Sequence, residues 1–260
     1  MTEEALVLQH KDERGVVTLT LNRPQAFNSL SEAMLEALQA ALHQVAEDDS
    51  ARVVVIAAAG RAFCAGHDLK EMRAEPSMGY YQKLFERCGR MMMAIQHLSV
   101  PVIARVQGVA TAAGCQLVAM CDLAVAARDV RFAVSGINLG LFCSTPSVAL
   151  SRNLPRKLAF EMLVTGDFIS AEEALARGLV NRVVDSADLD AAVEALVSRI
   201  VGKPRVALAL GKQLFYRQLE VGINAAYTDA CRTMANNMMD ESALEGVQAF
   251  IDKRKPDWKN

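Results

Sequence analysis

Residues 15–24, GVVTLTLNRP, alternate apolar and polar side chains and stop at Pro24, which is the period of a strand. Ser31 then precedes EAMLEALQAALHQVAED, where apolar residues recur at 34, 35, 38, 42 and 45. That spacing puts them on one face of a helix capped by Ser31. ARVVVIAAAG (51–60) is a short apolar run closed by glycine, and PVIARVQG (101–108) is another; both read as buried strands. Between them lie a segment that reads as a loop, RAFCAGHDLKEM (61–72), and a helical stretch over about 78–98 that ends before Pro101. DLAVAARDVRFAV (122–134) reads as two further brief strands. From about residue 156 the signals are almost all helical: Pro204 starts one helix, and others run over about 223–237 and 240–253.

Strands alternating with helices predict an α/β layered fold. A soft boundary near residue 200 separates an α/β core (1–200) from a helical tail (201–260). The tail's apolar Met234, Met238, Met239 and Phe250 suit packing on the core or on another subunit. With 260 residues, 52% of them hydrophobic and 22% charged, the chain can bury a sizeable core. A net charge of −2, with basic residues dispersed, gives no footprint for nucleic acid. The apolar stretch Val106–Cys121 is uncharged over 16 residues and contains Gly108 and Gly114. It is short of the roughly 20 residues a membrane span needs and fits a buried core element. The start, MTEEALVLQHKDERG, is acidic and lacks an apolar signal core, so a cytoplasmic location is expected, or an organelle matrix after processing. Cysteines stand at 64, 88, 115, 121, 143 and 231 without a C-x-x-C pair. Reduced core thiols are expected, and no metal site.

One stretch stands out against this background. In GVATAAGCQLVAMCDLAVAA (108–127), the only strongly polar side chain between Val109 and Cys121 is the amide of Gln116. A buried amide without partners costs about 1–3 kcal/mol. Gln116 is therefore a satisfied core residue, a catalytic group, or what stands in the place of one.

FCAGHDLKEM (63–72) and VQGVATAAGCQLVAMCDLAVAA (106–127), at this spacing, resemble the crotonase, or enoyl-CoA hydratase/isomerase, superfamily. LNRPQAFNSL (21–30), TGDFISAEEALARGLVNRVV (165–184) and the helical end agree in order, so the resemblance covers nearly the whole chain. It implies a spiral of ββα turns with a C-terminal helical region that forms homotrimers, often paired into hexamers. It implies acyl-CoA thioesters as ligands, with coenzyme A as part of the substrate and no separate cofactor.

The chemistry of such ligands explains the two loops. Reactions at the α or β carbon of an acyl-CoA pass through an enolate-like anion on the thioester oxygen, which two preorganised backbone N–H donors stabilise. A helix N-terminus offers such donors with a favourable dipole. By the resemblance these donors are the amides of His67 and Ala113, the family usually having glycine at the second position. Ala65, Gly66, His67, Asp68, Leu69 and Lys70 then surround the adenine and pantetheine of CoA, with Lys70 toward the phosphates. Gln25 and Phe27 match the loop that touches CoA from the other side, through backbone more than side chain. The His67 imidazole titrates near neutrality and is also a candidate base, although the family uses this position for its N–H.

Hydratases of this family use two glutamates, one to deprotonate water and one to protonate the α carbon. Their places here hold Gln116 and Gly136. An amide can bond a water but cannot take its proton, and glycine can do neither. Restoring both glutamates is expected to raise hydration, unless Gly136 holds a backbone angle that glutamate cannot adopt. NLGLFCSTPSVAL (138–150) resembles the enoyl-CoA hydratase domain-containing subgroup, which lacks both glutamates. Ser144 lies where aryl-CoA dehalogenases of the superfamily carry an aspartate nucleophile, beside Cys143; without a base it is a weak candidate. For the same reason a ClpP-like serine peptidase is not supported. Two readings stay open: an enzyme working through an enolate, with weak hydration of simple enoyl-CoAs, and a non-catalytic acyl-CoA binder or regulator.

Overall fold

The computed structural model describes residues 5–74 and 76–258. Its strands in chain order are β1 (Val7–Lys11), β2 (Val16–Leu21), β3 (Val53–Ala58), β4 (Ala62–Cys64), β5 (Val102–Val106), β6 (Val109–Thr111), β7 (Leu123–Ala127), β8 (Arg131–Ala133), β9 (Ile169–Ser170) and β10 (Arg182–Val184). The helices are α1 (Glu32–Ala46), α2 (Leu69–Ala74), α3 (Met78–His97), α4 (Ala113–Met120), α5 (Ser144–Asn153), α6 (Arg156–Thr165), α7 (Ala171–Arg177), α8 (Leu189–Val201), α9 (Arg205–Leu219), α10 (Ile223–Met238) and α11 (Glu241–Ile251).

One sheet runs β1-β2-β3-β5-β7-β10 and a smaller one runs β4-β6-β8-β9. The chain passes from the first sheet to the second and back through a helix: β3 to β4, β5 to β6, β7 to β8. Within each sheet these strands pair in parallel, with Val54 opposite Val102 and Ala110 opposite Phe132. This is the spiral of ββα turns that the family resemblance implies. β3 is buried at every residue, as befits an interior parallel strand covered on both faces.

Local signals were met where they were strong. The Ser31 side chain accepts the N–H of Met34, and α1 buries Met34, Leu35, Leu38, Leu42 and Val45. The stretch 61–72, read as a loop, instead holds β4 and α2. A three-residue strand has no periodicity to detect, and α2 is started by Asp68, whose carboxylate accepts the amides of Lys70 and Glu71. β9 and β10 likewise interrupt the region read as helical, each too short to show a pattern. The long uncharged run is broken into β6 and α4, and no helix among the described residues is long and apolar enough to cross a membrane. Five cysteines are buried, but Cys231 is exposed on α10, which corrects its reading as a core thiol.

The hydrophobic core reaches from Val16 to Val197, with Ile200 and Val201 packed against it. Beyond Val201, Lys212 and Ala249 are buried while most apolar side chains are not. Lys212 anchors α9 to the core. Its ammonium donates to the Ile95 and Val100 carbonyls at 3.0 Å each and to Asp122 at 2.7 Å. Asp122 also accepts from Tyr216 and from the amide of Val102. Burial lowers the Lys212 pKa while Asp122 opposes that fall, so the ammonium persists as the partner of a buried carboxylate.

Candidate functional site

The two loops singled out in the sequence meet at the N-terminus of α4. A Cβ placed on Gly66 would lie 2.9 Å from Cβ of Ala112 and 3.3 Å from the amide nitrogen of Ala113. Gly66 also has φ +90°, a region that favours glycine, so this close approach requires that residue on two counts. At the next residue, a Cβ on Gly114 would lie 2.1 Å from the carbonyl oxygen of Cys64. Small residues in AAG thus bring α4 against the end of β4. The Thr111 hydroxyl donates to the Ala65 carbonyl at 3.1 Å and fastens the two segments together.

The backbone at this corner is directed rather than relaxed. Ala112 has φ 50° and ψ −120°, unusual for a residue with a Cβ. Such strain costs about 1–3 kcal/mol and gathers at functional sites. Its amide bonds the carbonyl of Ala133 at 2.9 Å, and its carbonyl accepts from Gln116 at 3.0 Å. Ala113 is the first residue of α4, so its N–H has no intrahelical acceptor. On the facing loop, Leu30 donates to the Gly66 carbonyl at 2.7 Å and accepts from Asp68 at 3.4 Å. This is a parallel bridge between Leu30 and His67, a pattern that points the N–H of His67 away from Leu30. No sequence signal identified Ala112 as the strained residue, because its neighbours in ATAAG are equally small.

The side chains around the corner divide by role. Asp68 is buried; burial works against its charge, but Arg23's guanidinium at 2.7 Å and the amides of Lys70 and Glu71 outweigh it and hold the carboxyl below its usual range. Asp68 therefore braces the loop. Ala65, Leu69 and Lys70 are exposed, as are Gln25 and Phe27 on the loop opposite. The guanidinium of Arg61 sits 4.7 Å over the Phe27 ring, a cation–π pair that sequence reading missed. His67 is largely buried, its ring edge-on to Phe85 at 5.5 Å and its Nδ1 3.4 Å from the Leu30 carbonyl. Burial lowers its pKa, so the imidazole is neutral at pH 7.

Gln116 is 4% exposed, and its Oε1 is buried without a hydrogen-bond partner. It is therefore not a satisfied core amide. Gly136 does not have a positive φ, so the expected backbone obstacle to glutamate is not the real one. The obstacle is space: a Cβ there would meet the Leu141 carbonyl at 2.6 Å and Cys143 Sγ at 2.7 Å. Burial pushes the Cys143 thiol up, away from thiolate. Ser144 opens α5 with its hydroxyl donating to the Phe142 carbonyl at 3.3 Å, and His67 faces Leu30 instead. That geometry does not activate Ser144 as a nucleophile. Among the described residues no group of three or more His, Cys, Asp or Glu could hold a metal ion.

Comparison with known proteins gives this corner a context. Residues 11–260 match the family described as enoyl-CoA hydratase/isomerase. Enoyl-CoA hydratase domain-containing protein 3, mitochondrial, of Xenopus laevis is 46% identical over 248 residues, 95% of this chain and 84% of that protein. A crystal structure of enoyl-CoA hydratase from Mycobacterium smegmatis has 70% identity and a TM-score of 0.98, covering 99% of this chain and 100% of its own. The human domain-containing protein 3 structure has 43% identity and a TM-score of 0.94, covering 97% and 100%. The expected cytoplasmic location is overturned by these relatives: the frog, mouse and human proteins are named mitochondrial. Location is carried by a targeting segment, which the composition of a folded core does not reveal.

Proposed function

The chain belongs to the enoyl-CoA hydratase/isomerase family, and from that premise we propose that it binds acyl-CoA thioesters and stabilises an enolate-like oxyanion between the N–H groups of His67 and Ala113. The observation that carries this reading is the contact of Gly66 with Ala112 and Ala113, which sets the two amides on adjoining strands of backbone beside a helix N-terminus. Fixed N–H dipoles of this kind contribute about 10²–10³-fold to reactions that build charge on a thioester oxygen. The exposed flank formed by Gln25, Phe27, Ala65, Leu69 and Lys70 is where the CoA moiety lies, with Lys70 toward the phosphates and the acyl group reaching inward past Gly66. Isothermal calorimetry with butyryl-CoA, which has no double bond to hydrate, tests the reading. Saturable one-site binding per subunit supports it, and no heat at millimolar ligand sinks it.

The missing carboxylates favour a second reading, a non-catalytic acyl-CoA binder or regulator. A crotonyl-CoA hydration assay separates the two: turnover above the uncatalysed rate supports the enzyme, and binding without turnover supports the binder.

Residues 201–260 act in this proposal as an oligomerisation region of a homotrimer or a dimer of trimers. Phe215, Leu219, Ile223, Met234, Met239 and Phe250 are all more than half exposed, Phe250 at 85%. Apolar surface gathered on one region marks an interface. Light scattering at micromolar concentration is expected to give three or six times the subunit mass of 28.2 kDa. A stable monomer would count against it.

A further inference from the structure

We propose that His67 Nε2 and Gln116 Oε1 together hold the water that attacks the substrate, with the His67 imidazole as the base; this rests on the acyl-CoA reading above. Both atoms are buried and without a hydrogen-bond partner. An orphaned buried polar atom costs about 1–3 kcal/mol, so two at one corner call for a ligand that satisfies them. The backbone segments that carry them meet at one corner. His67 follows Gly66, which abuts Ala112 and Ala113. Gln116 stands four residues after Ala112, whose carbonyl its amide bonds, so the two share a face of α4.

Donor and acceptor roles narrow the ligand. The Leu30 carbonyl can only accept, so the contact with His67 Nδ1 places the ring proton there and leaves a lone pair on Nε2. Gln116 Oε1 is likewise an acceptor. A partner for both must bring two donors. A thioester carbonyl brings none and a substrate hydroxyl brings one, whereas water brings two. A water giving one hydrogen to each acceptor keeps its lone pairs for the substrate.

The step balances without an added reagent. The water oxygen forms a bond to the β carbon of a 2-enoyl thioester while its proton passes to His67 Nε2. The π electrons of the double bond move to the thioester oxygen, held by the two backbone amides. The imidazolium, supported by the Leu30 carbonyl at Nδ1, then returns a proton to the α carbon as the enolate collapses. The product is a 3-hydroxyacyl thioester. One neutral base here does the work of two carboxylates, which fits slow hydration.

The test uses crotonyl-CoA turnover, with butyryl-CoA binding followed in parallel. His67→Ala keeps the backbone N–H and should lower kcat by about 10². KM should stay nearly unchanged, and added imidazole should restore turnover at least about tenfold, a rescue that a structural role would not show. Gln116→Leu should lower kcat by about tenfold with butyryl-CoA affinity retained. If His67→Ala loses butyryl-CoA binding, His67→Gln replaces it and must show the same fall in kcat. Turnover of either His67 variant within about threefold of the unmodified protein overturns the proposal, as does a fall without imidazole rescue in a His67→Ala variant that still binds. No turnover by an unmodified protein that binds butyryl-CoA also overturns it. Failure of the unmodified protein to bind butyryl-CoA overturns the underlying acyl-CoA reading instead.

Discussion

Crotonyl-CoA hydration by this protein is expected to run at least about a thousandfold slower than in a two-glutamate relative, with CoA-ester binding retained. General acid–base groups supply about 10²–10⁴-fold each, and groups acting as a unit do not add. The positions the resemblance assigns to the two glutamates hold Gln116 and Gly136, while the corner proposed to hold the oxyanion is closely packed. Gln116→Glu alone should raise the rate, because the side chain already occupies a buried polar position without a partner at Oε1. The companion change Gly136→Glu will not report on catalysis. Its Cβ would collide with the Leu141 carbonyl at 2.6 Å, a backbone atom that cannot swing aside. Overpacking of this kind costs about 1–3 kcal/mol or more, and it falls in the segment leading to Cys143. Steady-state kinetics side by side with a two-glutamate relative check this. A rate within tenfold of that relative would refute the view that the lost carboxylates limit the reaction.

Lys212→Met is expected to destabilise the fold by about 3–5 kcal/mol, because it leaves a buried carboxylate without its counter-charge. The side chains of Lys212 and Asp122 are only 6% and 14% exposed, so water cannot take over the lost interaction. Three acceptors lose a donor at once, including the Ile95 and Val100 carbonyls. For a chain of this size the loss corresponds to a fall in Tm of about 10 °C. The Lys212→Met/Asp122→Asn pair removes the stranded charge and keeps an acceptor for the amide of Val102, so it should recover a large part of the loss. Thermal denaturation followed by circular dichroism reads both. A single-variant loss below about 1 kcal/mol would mean that α9 contributes little to the core.

Much of the spiral was legible along the chain. The strands at 16–21, 53–58 and 102–106 and the capped helix after Ser31 were foreseen, because each repeats its period over enough residues. The elements that escaped were the short β1, β4, β6, α2, β9 and β10, together with α5, which lies in a segment whose apolar residues show no clear helical period. Pairing with a distant strand makes such segments regular, and their own side chains do not announce it. The location was misjudged for a different reason: compartment is not a property of the folded core.

The sequence by itself determined which side chains stand at the positions singled out by the resemblance. Side-chain identity is one-dimensional, so the sequence alone shows that Gln116 and Gly136, the places the resemblance assigns to two glutamates, carry no carboxylate. It also determined the small residues, AAG beside AGHDL, that let two backbones approach. The tertiary structure alone decided what those residues accomplish. It showed Gly66 pressed on Ala112, the room at Gly136 filled by Leu141 and Cys143, and the amide oxygen of Gln116 left without a partner. It also showed which ring nitrogen of His67 is free, and that a lysine 90 positions away neutralises Asp122. Each of these depends on contacts between segments remote in the chain, and local periodicity and capping carry no record of such distances.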